Sequence, residues 1–323
     1  MHMRIIITIL FICLRCTMDN GMAQSDIVGK IQNLKKERNA IILAHNYQPG
    51  EVQDVADYLG DSLELSRKAA ESEAEVIVFC GVHFMAETAS ILSPDKKVLL
   101  PDIDARCPMA DMITADGLRE LKAEHPDAKV VGYVNTTADV KAEMDICCTS
   151  TNAIKVINSL EGDEVIFVPD KYLADYVSRH TEKKIIPWNG SCSTHVKITP
   201  QDIKKQKELH PGAKVIVHPE CIPDVVELAD EVLSTGGMCK YVRESDAGEF
   251  IVGTETGIIH RLGKENPDKK FYPASELAVC PNMKKISLEK VLWALEDVKY
   301  EVKVPEEIRV KAKQAVDRML EIA

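Results

Sequence analysis

Short, uninterrupted apolar runs recur along this chain, and amphipathic stretches at helical spacing separate them. Ile41-Ile42-Leu43-Ala44, Val130-Val131-Gly132 and Val215-Ile216-Val217 form one set of runs. Val76-Ile77-Val78-Phe79, Val165-Ile166-Phe167-Val168 and Phe250-Ile251-Val252 form a second. None alternates apolar with polar residues, so each reads as a strand covered on both faces. Strands that alternate with helices imply parallel βαβ units with right-handed crossovers. A third set is Lys96-Lys97-Val98-Leu99-Leu100-Pro101, Lys183-Lys184-Ile185-Ile186-Pro187 and Lys269-Lys270-Phe271-Tyr272-Pro273, each leading to a cysteine. Those cysteines, Cys107, Cys192 and Cys280, are 85 and 88 residues apart.

Other features keep nearly the same spacing. His45-Asn46-Tyr47 corresponds to Tyr133-Val134-Asn135 and to His218-Pro219-Glu220, at offsets of 88 and 85. Gly60-Asp61-Ser62, Cys148-Thr149-Ser150 and Ser234-Thr235-Gly236 correspond at about the same offsets. A shared period across independent features marks a repeat protein. The pattern predicts an α/β fold of three homologous three-layer αβα domains, with parallel sheets around a pseudo-threefold axis. The units are expected at 26–112, 113–199 and 200–290. A helical segment over 291–323 is expected to pack back on the first repeat.

Residues 1–25 read as an N-terminal extension outside the fold. The apolar run Ile5 to Leu14 behind Arg4 resembles a signal-peptide core, but no A-x-A site follows and it is too short to span a bilayer. Met18 and Met22 lie just downstream, as in an upstream extension of a reading frame. Cys13 and Cys16 form a C-x-x-C within this leader and are discounted as a metal or redox pair.

Of 323 residues, 45% are apolar and 28% charged, the balance of a soluble globular protein. The net charge of −11 argues against a nucleic-acid partner, which needs a basic footprint. No segment reads as membrane-spanning, and a cytoplasmic location is the default. Ten cysteines in a chain of this length point to metal, catalysis or burial rather than a disulfide scaffold.

In open parallel sheets, ligands sit at the carboxyl ends of the strands. Those ends carry His45, Tyr47, Tyr133, Asn135, His218 and Glu220. A pseudo-threefold axis would bring all of them to one cavity. Ser62, Ser150 and Ser234-Thr235 read as helix N-caps, whose free N–H groups bind carboxylate or phosphate. Three such caps would bind a polyanionic substrate. Cys107, Cys192 and Cys280 would converge in the same way as soft ligands for zinc or an iron–sulfur cluster. Clusters usually take four cysteines, so three would leave one iron open. Cys80, Cys147, Cys148, Cys221 and Cys239 lack counterparts and read as buried small hydrophobes. His83, His125, His180 and His210 read as structural or exposed. Two alternatives stand beside a cluster enzyme: a three-thiolate zinc hydrolase, and a non-catalytic dicarboxylate-binding protein.

Ala44-His45-Asn46-Tyr47-Gln48, Gly60-Asp61-Ser62, Cys107-Pro108-Met109-Ala110, Tyr133-Val134-Asn135, Thr149-Ser150, His218-Pro219-Glu220-Cys221, Ser234-Thr235-Gly236 and Cys280-Pro281-Asn282-Met283 resemble the motifs of the quinolinate synthase family. The resemblance runs from about residue 26 to the C-terminus. It implies condensation of iminoaspartate with dihydroxyacetone phosphate to give quinolinate, phosphate and two waters in NAD biosynthesis. It also implies a 4Fe–4S cluster on Cys107, Cys192 and Cys280, with an open iron as Lewis acid. Tyr47 and Glu220 match the family's acid–base pair. His45 and His218 match residues that hold carboxylate or reacting oxygens, and Tyr133 and Asn135 match residues that orient the intermediate. Asp61, Ser62, Ser150, Ser234 and Thr235 match substrate-binding positions. The implied source of iminoaspartate is an aspartate oxidase or aspartate dehydrogenase. The family commonly has Gly-His-Cys at the second cysteine, where this chain has Gly190-Ser191-Cys192-Ser193-Thr194-His195. No C-x-x-C stands near the C-terminus, so no thiol switch of that kind is expected. Imine chemistry needs shielding from water, which predicts domain closure over the substrate.

Overall fold

The computed structural model describes residues 24–322, so the leader with Cys13 and Cys16 lies outside the described residues. The first sheet holds β1 (Ala40–His45), β2 (Tyr58–Gly60), β3 (Val76–Cys80) and β4 (Lys97–Leu99). The second holds β5 (Lys129–Tyr133), β6 (Ile146–Cys148), β7 (Glu164–Val168) and β8 (Lys184–Pro187). The third holds β9 (Lys214–Val217), β10 (Glu231–Val232), β11 (Glu249–Gly253) and β12 (Lys270–Pro273). Every ladder within these sheets is parallel, and helices interleave with the strands. Three αβα units follow, as the hydrophobic pattern predicts.

Within each sheet the strand order is second, first, third, fourth. The sheet grows one way from its first strand and then the other, so a crevice opens at the carboxyl ends of the first and third strands. The central strands are buried because helices cover both faces, and Phe79, Phe167 and Phe250 in β3, β7 and β11 are among the largest fully buried side chains. Truncating a buried Phe of this kind costs about 3–5 kcal/mol.

Two polar devices recur with the repeat. An aspartate just before each second strand accepts an N–H from the first strand: Asp57 from Ile42 at 2.7 Å, Asp145 from Val130 at 2.7 Å, Asp230 from Val215 at 2.8 Å. A hydroxyl caps the helix after each cysteine loop: Thr114 to Gly117 N, Thr199 to Asp202 N, Ser287 to Lys290 N. Each satisfies a backbone donor that would otherwise be orphaned.

The C-terminal segment departs from expectation. Helix Leu288–Asp297 packs on helix Gln24–Glu37, and Tyr300 and Val302 pair with the edge of β4, all in the first unit. The last helix, Glu306–Glu321, instead lies mainly on β6 and helix Ala138–Lys141 of the second unit, and also touches helix His83–Leu92 of the first. Its stripe of Ala312, Ala315, Val316 and Met319 is buried there. The physical reason is that the β4 edge already takes up residues 300–302, which carries the chain over to the second unit. No described helix is long and apolar enough to cross a membrane.

Candidate active site

The three crevices meet in one central cavity of about 70 Å3, walled by residues of all three units. Its lining includes His45 and Tyr47 at the end of β1, Tyr133 and Asn135 at the end of β5, and His218 and Glu220 after β9. Cys107, Cys192 and Cys280 lie on the same wall, each half-buried and free of disulfides. Each stands in the loop after the fourth strand, and each carbonyl accepts the N–H four residues on: Asp111, Val196 and Lys284. The same turn therefore presents each thiol. Val82, Phe84, Met85, Met109 and Met283 complete an apolar part of the wall.

The histidines at the carboxyl ends of β1 and β9 share one device. Tyr47 N–H donates to His45 Nδ1 at 3.2 Å, and Glu220 N–H donates to His218 Nδ1 at 3.3 Å. An accepting Nδ1 leaves the proton on Nε2, so each neutral imidazole offers an N–H donor. His218 Nε2 lies 3.2 Å from Ser150 Oγ. Burial lowers His45 to about 4 and His218 to about 3, so both are neutral at pH 7.

A chain of short contacts crosses the cavity wall. Tyr47 Oη lies 2.5 Å from Thr254 Oγ1, which lies 2.8 Å from His195 Nε2. His195 Nδ1 lies 2.8 Å from Glu220 Oε2, although off the line of a hydrogen bond. Tyr133 Oη donates to Glu220 Oε1 at 2.6 Å. Two phenols are thus joined through a hydroxyl, an imidazole and a carboxylate drawn from all three units. Burial and the Glu220 charge push both phenols well above their usual range. Burial alone would raise Glu220, but the neighbouring His195 and His218 and the Tyr133 hydrogen bond hold its carboxyl well below the usual range. At neutral pH the chain therefore has phenolic protons at its ends and a carboxylate inside.

The expected polar caps divide into two kinds. Ser62, Ser150 and Thr235 line the cavity. Ser234 does not: its Oγ caps Gly237 N at 3.1 Å and meets Thr151 Oγ1 at 2.9 Å. Asp61 lines the cavity, but its carboxylate is committed elsewhere. Oδ1 accepts from Leu63 N and Glu64 N, and Oδ2 accepts from the Thr151 and Ser234 hydroxyls. Asp61, not Ser62, caps its helix. Ser150 caps nothing, because the helix after it begins only at Ala153. Asn135 Oδ1 is buried in the wall without a partner, so it is an acceptor ready for a ligand.

Several residues in and behind the wall were not singled out by the sequence reading. Glu255 is fully buried, accepts the N–H groups of Gly257 and Cys280, and pairs with Lys284 at 2.9 Å. Lys284 also donates to the Tyr47 carbonyl at 2.6 Å. Lys141 is fully buried, and its ammonium donates to the carbonyls of Val134 and Thr136, which flank Asn135.

The donor set suits a metal-bound group. Burial pushes Cys107 up to about 12, and Cys280 and Glu220 nearby push the same way; burial also raises Cys192. Thiols so placed ionise readily only beside a bound cation. Among the described residues, Cys192, His195 and Glu220 form a group whose ligand atoms all lie within 4.8 Å of one another; the three thiols together form no such compact group.

Comparison with known proteins places nearly the whole chain in one family. A family model described as quinolinate synthetase A protein matches residues 29–321. The chain is 59% identical over 301 residues to quinolinate synthase 1 of Methanosarcina acetivorans, covering 93% of this chain and 99% of that one. It is 63% identical over 293 residues to a quinolinate synthase of Dehalococcoides mccartyi, covering 91% and 97%. It is 57% identical over 294 residues to that of Thermodesulfovibrio yellowstonii, with the same coverage of 91% and 97%. Matched over residues 29–321 by the family model and across nearly the whole chain by these relatives, this protein belongs to the quinolinate synthase family, a family of enzymes.

Proposed function

We propose that the chain condenses iminoaspartate with dihydroxyacetone phosphate to give quinolinate, phosphate and two waters. The observation that carries this reading is the meeting of Cys107, Cys192 and Cys280 with Tyr47 and Glu220 on one cavity. The three cysteines would hold a 4Fe–4S cluster. When bound, that cluster supplies an open, Lewis-acidic iron beside the reacting oxygens.

The chain's own residues supply the rest. Tyr47, held as a phenol, donates a proton to a departing oxygen. Glu220, held as a carboxylate, takes one up. Thr254 and His195 stand between Tyr47 and Glu220, and a turn of the His195 ring into line with Glu220 returns the proton between turnovers. The Nε2–H groups of His45 and His218 bind substrate carboxylate or carbonyl oxygens. Tyr133 and the unpartnered Asn135 Oδ1 orient hydroxyl and imine hydrogens. Ser62, Ser150 and Thr235 bind the carboxylates or phosphate. Val82, Phe84, Met85, Met109 and Met283 exclude the water that would hydrolyse an imine.

A single zinc ion held by the three thiols fits less well. With Zn–S bonds of about 2.3 Å, ligating sulfurs stand about 3.8 Å apart, whereas these three form no such compact set. A binding protein without catalysis would not need the Tyr47-to-Tyr133 chain. The test is anaerobic incubation of the pure protein with both substrates, with iminoaspartate generated in place by an aspartate oxidase. Quinolinate formed in equal amount with phosphate is the expected result. Phosphate without quinolinate, or neither, would overturn the reading.

A further inference from the structure

A second cavity, of about 320 Å3, lies against the central one. The two share Asp61, and the partition between them is one residue thick in every unit. Ser62 faces the central cavity and Leu63 the outer one; Ser150 and Thr151 divide in the same way, as do Thr235 and Gly236. The Asp61, Thr151 and Ser234 hydrogen bonds close the floor.

The outer cavity is cationic in a chain whose net charge is −11. Arg67, Lys240, Arg243 and Arg261 line it, against Asp61 and Glu64. Asp61 is saturated by N–H and hydroxyl donors, and Glu64 accepts the Asp61 N–H at 2.9 Å. Among the described arginines, Arg38, Arg106, Arg119, Arg179, Arg261, Arg309 and Arg318 each have a hydrogen-bond partner. Arg67 and Arg243 have none, and both line this one cavity. Guanidinium forks match carboxylate and phosphate geometry. Arg261 adds a link inward: it donates to Asn46 Oδ1 at 2.7 Å, and Asn46 donates to Thr235 Oγ1 at 2.9 Å in the central wall.

We propose that the outer cavity is a binding site for a small dianion, a phosphate or dicarboxylate, stationed just outside the central cavity. Its use by the substrates rests on the function proposed above; its existence as an anion site does not. Arg67 and Arg243 provide the charge, and Arg261 couples the site to Thr235.

The test is equilibrium binding of inorganic phosphate to the full-length protein at physiological ionic strength. The R67Q/R243Q variant and a central-wall control, Ser150→Ala, are titrated beside the wild type. Neither arginine has a partner to orphan, so folding is expected to be unaffected. The wild type and Ser150→Ala are expected to bind a phosphate that R67Q/R243Q binds at least tenfold more weakly. Equal binding by R67Q/R243Q and wild type, including no binding by either, would overturn the proposal. A second arm reads kcat/KM for dihydroxyacetone phosphate against salt. A roughly tenfold fall in R67Q/R243Q with a weaker salt dependence assigns the site to substrate capture; unchanged kcat/KM would overturn that assignment. A protein inactive with both substrates but with the expected phosphate pattern would sink the function proposed above and leave the anion site standing.

Discussion

Tyr47 ends a chain of side chains in which each group fixes the protonation of the next. Replacing it by Phe keeps the ring and removes only the hydroxyl, with its contacts to Thr254 and His195. We expect a stability change of about 1 kcal/mol or less and a fall in kcat of about 10²- to 10⁴-fold, read in steady-state kinetics with iron content as control. Near-normal kcat with normal iron would remove Tyr47 from the acid role. His45 makes a second prediction at this scale. Its folded pKa of about 4 lies below the ordinary 6.5, so the unfolded chain takes up the proton first. The wild type therefore loses the His45 contribution as pH falls from about 6.5 toward 4, and gains nothing from it above 6.5. Unfolding measured across that window is expected to show His45→Gln gaining on the wild type as pH falls; a constant difference would contradict the buried neutral imidazole. The strand-end residues were legible because each has a counterpart at a fixed offset. Thr254 was not: its counterparts are Pro169 and Gly81, so no polar residue repeats there. Glu255 has an acidic counterpart in Asp170 but only Val82 in the first unit, a signal present in two units of three. Lys141 and Lys284 left no signal in the sequence, because their partners are backbone carbonyls and a glutamate distant in sequence.

The helix starts show how far spacing carries at the level of elements. Three polar segments at nearly matched offsets predict three equivalent caps, and the structure has two. Asp61 closes a capping box with Glu64, Ser234 caps Gly237, and the middle helix starts late, without a side-chain cap. Thr151 of that middle segment instead bridges Asp61 and Ser234. One carboxylate thereby both caps a helix and ties three units together. Asp61→Ala is expected to cost about 2 kcal/mol, from the lost cap and the freed hydroxyls, and Asp61→Asn less than half of that. Denaturant melts check this; an Ala variant as stable as the wild type would reduce Asp61 to an ordinary cavity residue. Strands were the more legible elements, since burial on both faces leaves an unmistakable apolar run. The landing place of the last helix was not legible, because an amphipathic stripe names the buried face and not its neighbour.

For the molecule as a whole, the repeat is the device that builds the site: one fold used three times delivers three thiols and three strand ends to one point. The central cavity of about 70 Å3 is far smaller than the roughly 300 Å3 at which small-molecule sites begin. Domain closure over the substrate predicts that solution scattering shows a larger radius of gyration without quinolinate than with it. Identical curves would contradict closure. The account as a whole stands on the three cysteines acting together, and anaerobic purification from about residue 22 onward, with iron and sulfide assay and a visible spectrum, tests that most directly. Cys107→Ser, Cys192→Ser and Cys280→Ser are compared with Cys221→Ser, whose thiol is buried and contacts the Gly253 carbonyl. About four irons per chain, the complement of a 4Fe–4S cluster, with loss in all three variants and retention in the control, is the result predicted. Zinc in its place, or no metal under strict anaerobiosis, would contradict it.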